Sequence, residues 1–137
     1  MNIFETYLKK IQNLITKNCK TLNITPDIAM DGVIIETPPL EINFDLSTNI
    51  ALVLAKKINL SPIKLAESIK KIIHENMQDF SSIEVAGPGF INFKFSPESY
   101  QKIILNILKS NNKYGSNSKN KKYNIEFVSA NPTGPMH

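Results

Sequence analysis

Apolar residues at Phe4, Tyr7, Leu8, Ile11, Leu14 and Ile15 recur every three to four positions, which predicts an amphipathic helix over 4–15. Val33, Ile34 and Ile35 lie between the turn-forming Asp31-Gly32 and Pro38-Pro39 and read as a short strand. The stretch "DLSTNIALVLAKK" opens on Asp45, Ser47 and Thr48, three candidate caps, and continues into a mostly buried helix over Ile50 to Ala55. Ser61-Pro62 supplies a cap and a proline at the first helical position, and the helix behind it buries Leu65, Ile69, Ile72 and Ile73. Ser96-Pro97 repeats the device, with Tyr100, Ile103, Ile104, Ile107 and Leu108 on one face of a fourth helix. Between the third and fourth helices, "SIEVAGPGFINFKF" switches to a two-residue period and turns at Gly87-Pro88-Gly89, which predicts a β-hairpin.

These elements define an α+β fold, a small antiparallel sheet packed with about four helices. They imply an organisation of one domain over 1–110, a polar low-complexity linker over 111–122 and a fresh strand from Tyr123 to Val128 that starts a further unit over 123–137.

Alternation along the second hairpin arm sets Ile91, Phe93 and Phe95 on one face and Phe90, Asn92 and Lys94 on the other. The first set is core. The second places an aromatic ring, an amide and an ammonium in a row, able to stack on an unpaired base, bond its edge and contact a phosphate. The alternative is that Phe90 fills the top of the core and Asn92 satisfies a turn carbonyl.

Composition narrows this only in part. A hydrophobic content of 42% in 137 residues is ordinary for a chain that buries a core. No run of eighteen apolar residues and no basic-then-apolar leader is present, so neither a membrane span nor export is expected. The single cysteine, Cys19, excludes an internal disulfide and a cysteine-based zinc site. It reads as a core filler on a helix, in a protein of the reducing cytoplasm. His74 has no partner visible in sequence, reads as a solvated helix residue, and no metal site is expected. Every one of the 16 basic residues is lysine and the net charge is +4. Lys109, Lys113, Lys119, Lys121 and Lys122 crowd into an acid-free stretch, which suits either a polyanionic partner such as RNA or a solvated linker.

The tail "EFVSANPTGPMH" runs from a strand into a Gly/Pro loop, the way nucleotide-binding α/β folds present a ligand at a strand's carboxyl end. It resembles the start of the signature of class I arginyl-tRNA synthetases, in which the Asn-Pro-Thr-Gly-Pro loop leads into a His-x-Gly-His ATP motif. "DLSTNIALVLAKK" and "VAGPGFINFKF" resemble segments of the additional N-terminal domain of the bacterial enzymes, with Phe44 where many relatives carry glycine. The likeness covers nearly the whole chain.

That resemblance implies a tRNA-binding domain followed by the first strand of a Rossmann-type catalytic domain, with the chain ending inside the ATP motif. It implies a monomeric cytoplasmic ligase that activates arginine with ATP and Mg2+ and transfers it to tRNA(Arg), and a 137-residue piece that binds neither cofactor and is inactive alone. Phe90 and Asn92 then match the pair that contacts a base of the tRNA D-loop, and Lys94 joins them by alternation. Glu126 matches the carboxylate for the arginine guanidinium, and Ser129 and Asn131 the contacts to the substrate's polar end. His137 matches the catalytic first histidine of the ATP motif. Two other readings remain at this level, a stand-alone RNA-binding module and a structural domain with Phe90 in a protein interface.

Overall fold

A computed structural model describes residues 2–116, 122 and 124–126. Helix α1 (Ile3–Lys17) starts where Asn2 Oδ1 accepts the Phe4 N–H at 3.1 Å, and it turns Tyr7, Ile11 and Ile15 into the core. Strands β1 (Ile35–Glu36) and β2 (Leu46–Thr48) precede α2 (Ile50–Ile58), α3 (Pro62–Asn76), the hairpin of β3 (Phe80–Ala86) and β4 (Phe90–Phe95), and α4 (Pro97–Ser110). Helix α2 stops at Asn59, whose left-handed φ of 53° ends it. Ser96 caps α4 by accepting the Ser99 N–H. A single 3-10 turn, Asn111–Lys113, follows α4.

The sheet is antiparallel throughout, in the order β1-β2-β4-β3. Leu46 and Ile83 flank Phe93, and Thr48 and Val85 flank Ile91, so one face of the sheet meets the helices. Phe93, Ile91, Leu46, Ile11, Ile50 and Ile69 are almost fully buried there. An aromatic cluster closes the end of this layer, with Phe80 4.7 Å from Phe93 and Tyr7 5.1 Å from Phe95, ring centre to ring centre. The Tyr7 hydroxyl donates to Asp79 Oδ1 at 3.1 Å. Burial, then the neighbouring Asp79 carboxylate, raises the Tyr7 pKa above its ordinary 10.0.

The α+β class, the four helices and the hairpin agree with expectation, and several particulars differ. Leu46 to Thr48 is a central strand, and of the three candidate caps only Thr48 bonds to the helix start. Asp45 Oδ2 accepts the Phe95 N–H at 2.8 Å, and Thr48 Oγ1 donates to Ile34 O at 2.7 Å while accepting the Ile50 N–H at 3.3 Å. Asn49 stands at the helix start, its amide tied to Ile34 N and Gly32 O rather than to the helix. The strand expected over 33–35 shifts to Ile35–Glu36, leaving Ile34 exposed. Cys19 is buried in the turn after α1, not on the helix. On α4 the apolar stripe stays largely in solvent, Ile104 at 53% and Leu108 at 68% exposure, because the sheet's helix face is already filled by α1, α2 and α3. Phe44 has no positive φ, so the glycine of many relatives is not required there.

Of the strand expected over 123–128, Asn124, Ile125 and Glu126 are exposed without regular structure, and its other residues lie outside the described ones. None of the described helices is long and apolar enough to cross a membrane.

Candidate functional site

The hairpin turn brings two strands together that the chain could align in several ways, and side-chain burial selects one. With Ile91, Phe93 and Phe95 committed to the core, the two-residue period sends Phe90, Asn92 and Lys94 to the opposite face. Directly opposite residues share a face, so the register Glu36↔Ser47, Ser47↔Asn92 and Asn92↔Glu84 draws one polar row across all four strands. None of the described helices covers this row. The loop between β1 and β2 folds over part of it instead.

That loop and the sheet enclose a cavity of about 340 Å³, lined by Glu36, Pro38, Pro39, Ile42, Ser47, Ala86, Gly87, Phe90 and Asn92. Its size falls in the range of ligand sites, roughly 300–1,000 Å³. Prolines and Ile42 form an apolar wall, and Phe90 gives a flat aromatic surface. Ser47 and Asn92 supply polar groups on the floor.

Asn92 is the unusual member. It is only 4% exposed, yet its side chain makes no hydrogen bond among the described residues, although no buried amide atom is sealed from solvent. Buried amides are nearly always partnered, because desolvating two N–H donors and a carbonyl oxygen without replacement is costly. The turn-carbonyl alternative is therefore not what the structure shows. Phe90 is half-buried and stands outside the hydrophobic core, so it does not fill the top of that core either.

Lys94 shares the face but not the cavity. Its ammonium donates to Asn43 Oδ1 at 2.8 Å, and four strand residues place it about 13 Å from Phe90. Lys109, Lys113 and Lys122 are exposed, while Lys119 and Lys121 lie outside the described residues. Glu126 is exposed, and Ser129, Asn131 and His137 lie outside the described residues. Two other cavities, of about 320 and 180 Å³, both border Asp79, whose carboxylate is already taken by Tyr7 and by Lys10 at 3.5 Å.

Sequence reasoning missed Glu36, Pro38, Pro39, Ile42 and Ser47 as parts of the site. Pro38-Pro39 was legible as a rigid turn, but nothing local aims it at β4, some fifty positions away.

Fold and site together define an α+β domain with a ligand-sized cavity on the face of the sheet that the helices leave free. The family model described as the arginyl tRNA synthetase N terminal domain matches residues 9–95. An arginine–tRNA ligase of Pelagibacter ubique (strain HTCC1062) is 43% identical over 139 residues, an alignment that spans 100% of this chain and 24% of the relative. One from Lawsonia intracellularis (strain PHE/MN1-00) is 48% identical over 106 residues, 76% of this chain and 19% of its own length. The crystal structure of arginyl-tRNA synthetase from Plasmodium falciparum shares the fold, with a TM-score of 0.54 at 24% identity over 74% of this chain and 18% of its own. The chain belongs to the arginyl-tRNA synthetase N-terminal domain family, and it spans about a quarter or less of the length of these relatives.

Proposed function

We propose that the cavity on the free sheet face takes one unpaired base from the D-loop of tRNA(Arg), and that this chain serves an arginine–tRNA ligase as its N-terminal tRNA-contacting part. The observation that carries the reading is Asn92, a buried residue whose amide keeps some contact with solvent, has no hydrogen-bond partner among the described residues, and lines the cavity together with the Phe90 ring. A nucleobase offers what that pair lacks, a flat face for the ring and a donor–acceptor edge for the amide. To Lys94, on the same face beyond the cavity and bonded to Asn43 in the free protein, we assign the backbone phosphate of a nucleotide whose base is held at Phe90. The exposed lysines near the end of α4 add sequence-independent attraction for the polyanion.

In the ligase as a whole, the reaction joins arginine to tRNA at the expense of ATP bound with Mg2+. To Glu126 we assign the arginine guanidinium, a pairing favoured by two parallel N–H···O bonds, with Ser129 and Asn131 at the polar end of the substrate and His137 at the triphosphate. We also read the ligase as a cytoplasmic monomer, the lone buried cysteine being at home in a reducing compartment.

The test is a titration of the chain into tRNA(Arg) and a non-cognate tRNA at two salt concentrations, with Phe90→Ala and Asn92→Ala alongside. Native protein should bind more weakly at high salt and prefer the cognate. Losing the stacking surface in Phe90→Ala costs about 1–3 kcal/mol, roughly 5- to 150-fold in affinity, and losing the edge contact in Asn92→Ala costs an amount on the same scale. Variants that match the native protein on both tRNAs would remove the cavity from tRNA recognition.

A further inference from the structure

We propose that Glu36 is a specificity-determining residue of the cavity, admitting a base that presents an amino group to its carboxylate and disfavouring one that presents a carbonyl oxygen there. The inference rests on the base-pocket reading above and adds what the pocket selects.

Three observations carry it. Glu36 lines the cavity at the far end of the polar row from Asn92, with Ser47 between them in register. Neighbouring strands lie about 4.7–4.9 Å apart, so β1 and β4 are separated by about 10 Å, room for one planar ring over Ser47 with a hydrogen bond at each edge. The second observation is electrostatic. Among the described residues Glu36 enters no salt bridge, the pairs present being Glu5–Lys9, Asp79–Lys10 and Glu67–Lys70. The rest of the lining is apolar apart from Ser47 and Asn92, and Glu36 itself is exposed at the rim, so its carboxylate meets water and is available to a ligand that enters.

The third observation is the contrast between the two ends of the row. An asparagine amide can turn over and bond either a donor–acceptor edge or its inverse, so Asn92 alone reads a base without choosing between such edges. An ionised carboxylate only accepts. Adenine, cytosine and guanine each bring an amino N–H to it. Uracil and hypoxanthine bring only a ring N–H flanked by carbonyl oxygen, which the carboxylate repels. The adaptable amide therefore holds the ring while the carboxylate at the mouth decides which ring is kept.

The experiment follows the side-chain 15N–1H resonances of Asn92 in the 137-residue chain during titration with four mononucleotides, AMP against IMP and CMP against UMP. Each pair differs by exchange of an amino group for a carbonyl. Native protein should bind the amino member about fivefold to tenfold more tightly, since a good base-edge contact discriminates on that scale. Glu36→Gln keeps the shape but can donate as well as accept, and it should bring each pair within about twofold while the Asn92 resonances still respond. Glu84→Gln, at the other end of the row and outside the cavity, should keep the native preference. A native protein without preference, or a Glu36→Gln that retains it, overturns the assignment to Glu36 and leaves the base pocket standing. If no nucleotide moves the Asn92 resonances, the pocket reading falls and this inference falls with it.

Discussion

Asn92→Leu separates a functional amide from a structural one, because the two roles predict opposite signs for stability. Asn92 sits in the central strand β4 at 4% exposure, flanked by Ser47 and Glu84 across the ladder, and its amide has no partner among the described residues. Leaving a buried polar side chain unpaired costs about 1–3 kcal/mol. The cavity gives this amide some access to solvent, which places its cost at the lower end, about 1 kcal/mol. Leucine has nearly the same shape, adds no polar group and can bury its methyl groups against Phe90 and Ile42, two other members of the cavity lining. Asn92→Leu should therefore stabilise the fold by about 1 kcal/mol, a rise of roughly 3–5 °C in Tm for a chain of this size. It should also lower affinity for tRNA(Arg) by tenfold or more through loss of the edge contact. Urea denaturation with the m-value checked for constancy, paired with a binding titration, reads both quantities on one sample. A loss of stability beyond about 1 kcal/mol would show that Asn92 has a structural partner, and the argument for a ligand-directed amide would collapse. Gain in one property with loss in the other is the mark of a residue kept for its ligand.

Other expectations concern the frame that holds the site. Phe93→Ala, which empties a fully buried position against Phe80, should destabilise by about 3–5 kcal/mol, measured by chemical denaturation. Gly89 has φ +133°, and a Cβ there would lie 3.0 Å from Pro62 Cβ, whereas Gly87 has open space at φ +53°. Gly89→Ala should accordingly cost more than Gly87→Ala, by about 1–2 kcal/mol, and equal costs would contradict the packing of the turn on α3. For Tyr7 the folded state holds the phenolic proton more tightly than the unfolded chain, so its contribution is complete below pH 10 and is lost as pH rises beyond that. The stability difference between native protein and Tyr7→Phe should shrink from pH 8 to pH 11, and a difference that stays constant would rule out a raised Tyr7.

What the sequence determined by itself is the set of local elements and the two faces of β4. Helical spacing in α1 and α3 and the Ser-Pro starts of α3 and α4 are properties of neighbouring residues, visible without a fold. The same holds for the Gly-Pro-Gly turn. The two-residue period of a strand already separated Phe90 and Asn92 from Ile91 and Phe93. Tertiary structure decided the rest, because it concerns which distant segments meet. Asp45, Ser47 and Thr48 look like caps since short polar residues before an apolar run serve that purpose locally, and only pairing with β1 and β4 makes Ser47 and Thr48 part of a central strand, with Asp45 just before it. The α4 stripe has helical periodicity whether or not a surface is available to cover it, and the filled face of the sheet leaves it exposed. Likewise the burial of Asn92 without a partner, and its alignment with Glu36 across Ser47, exist only once four strands share one register. Periodicity is a one-dimensional property and survives into the fold, whereas a cavity is made by chain segments whose meeting depends on long-range packing.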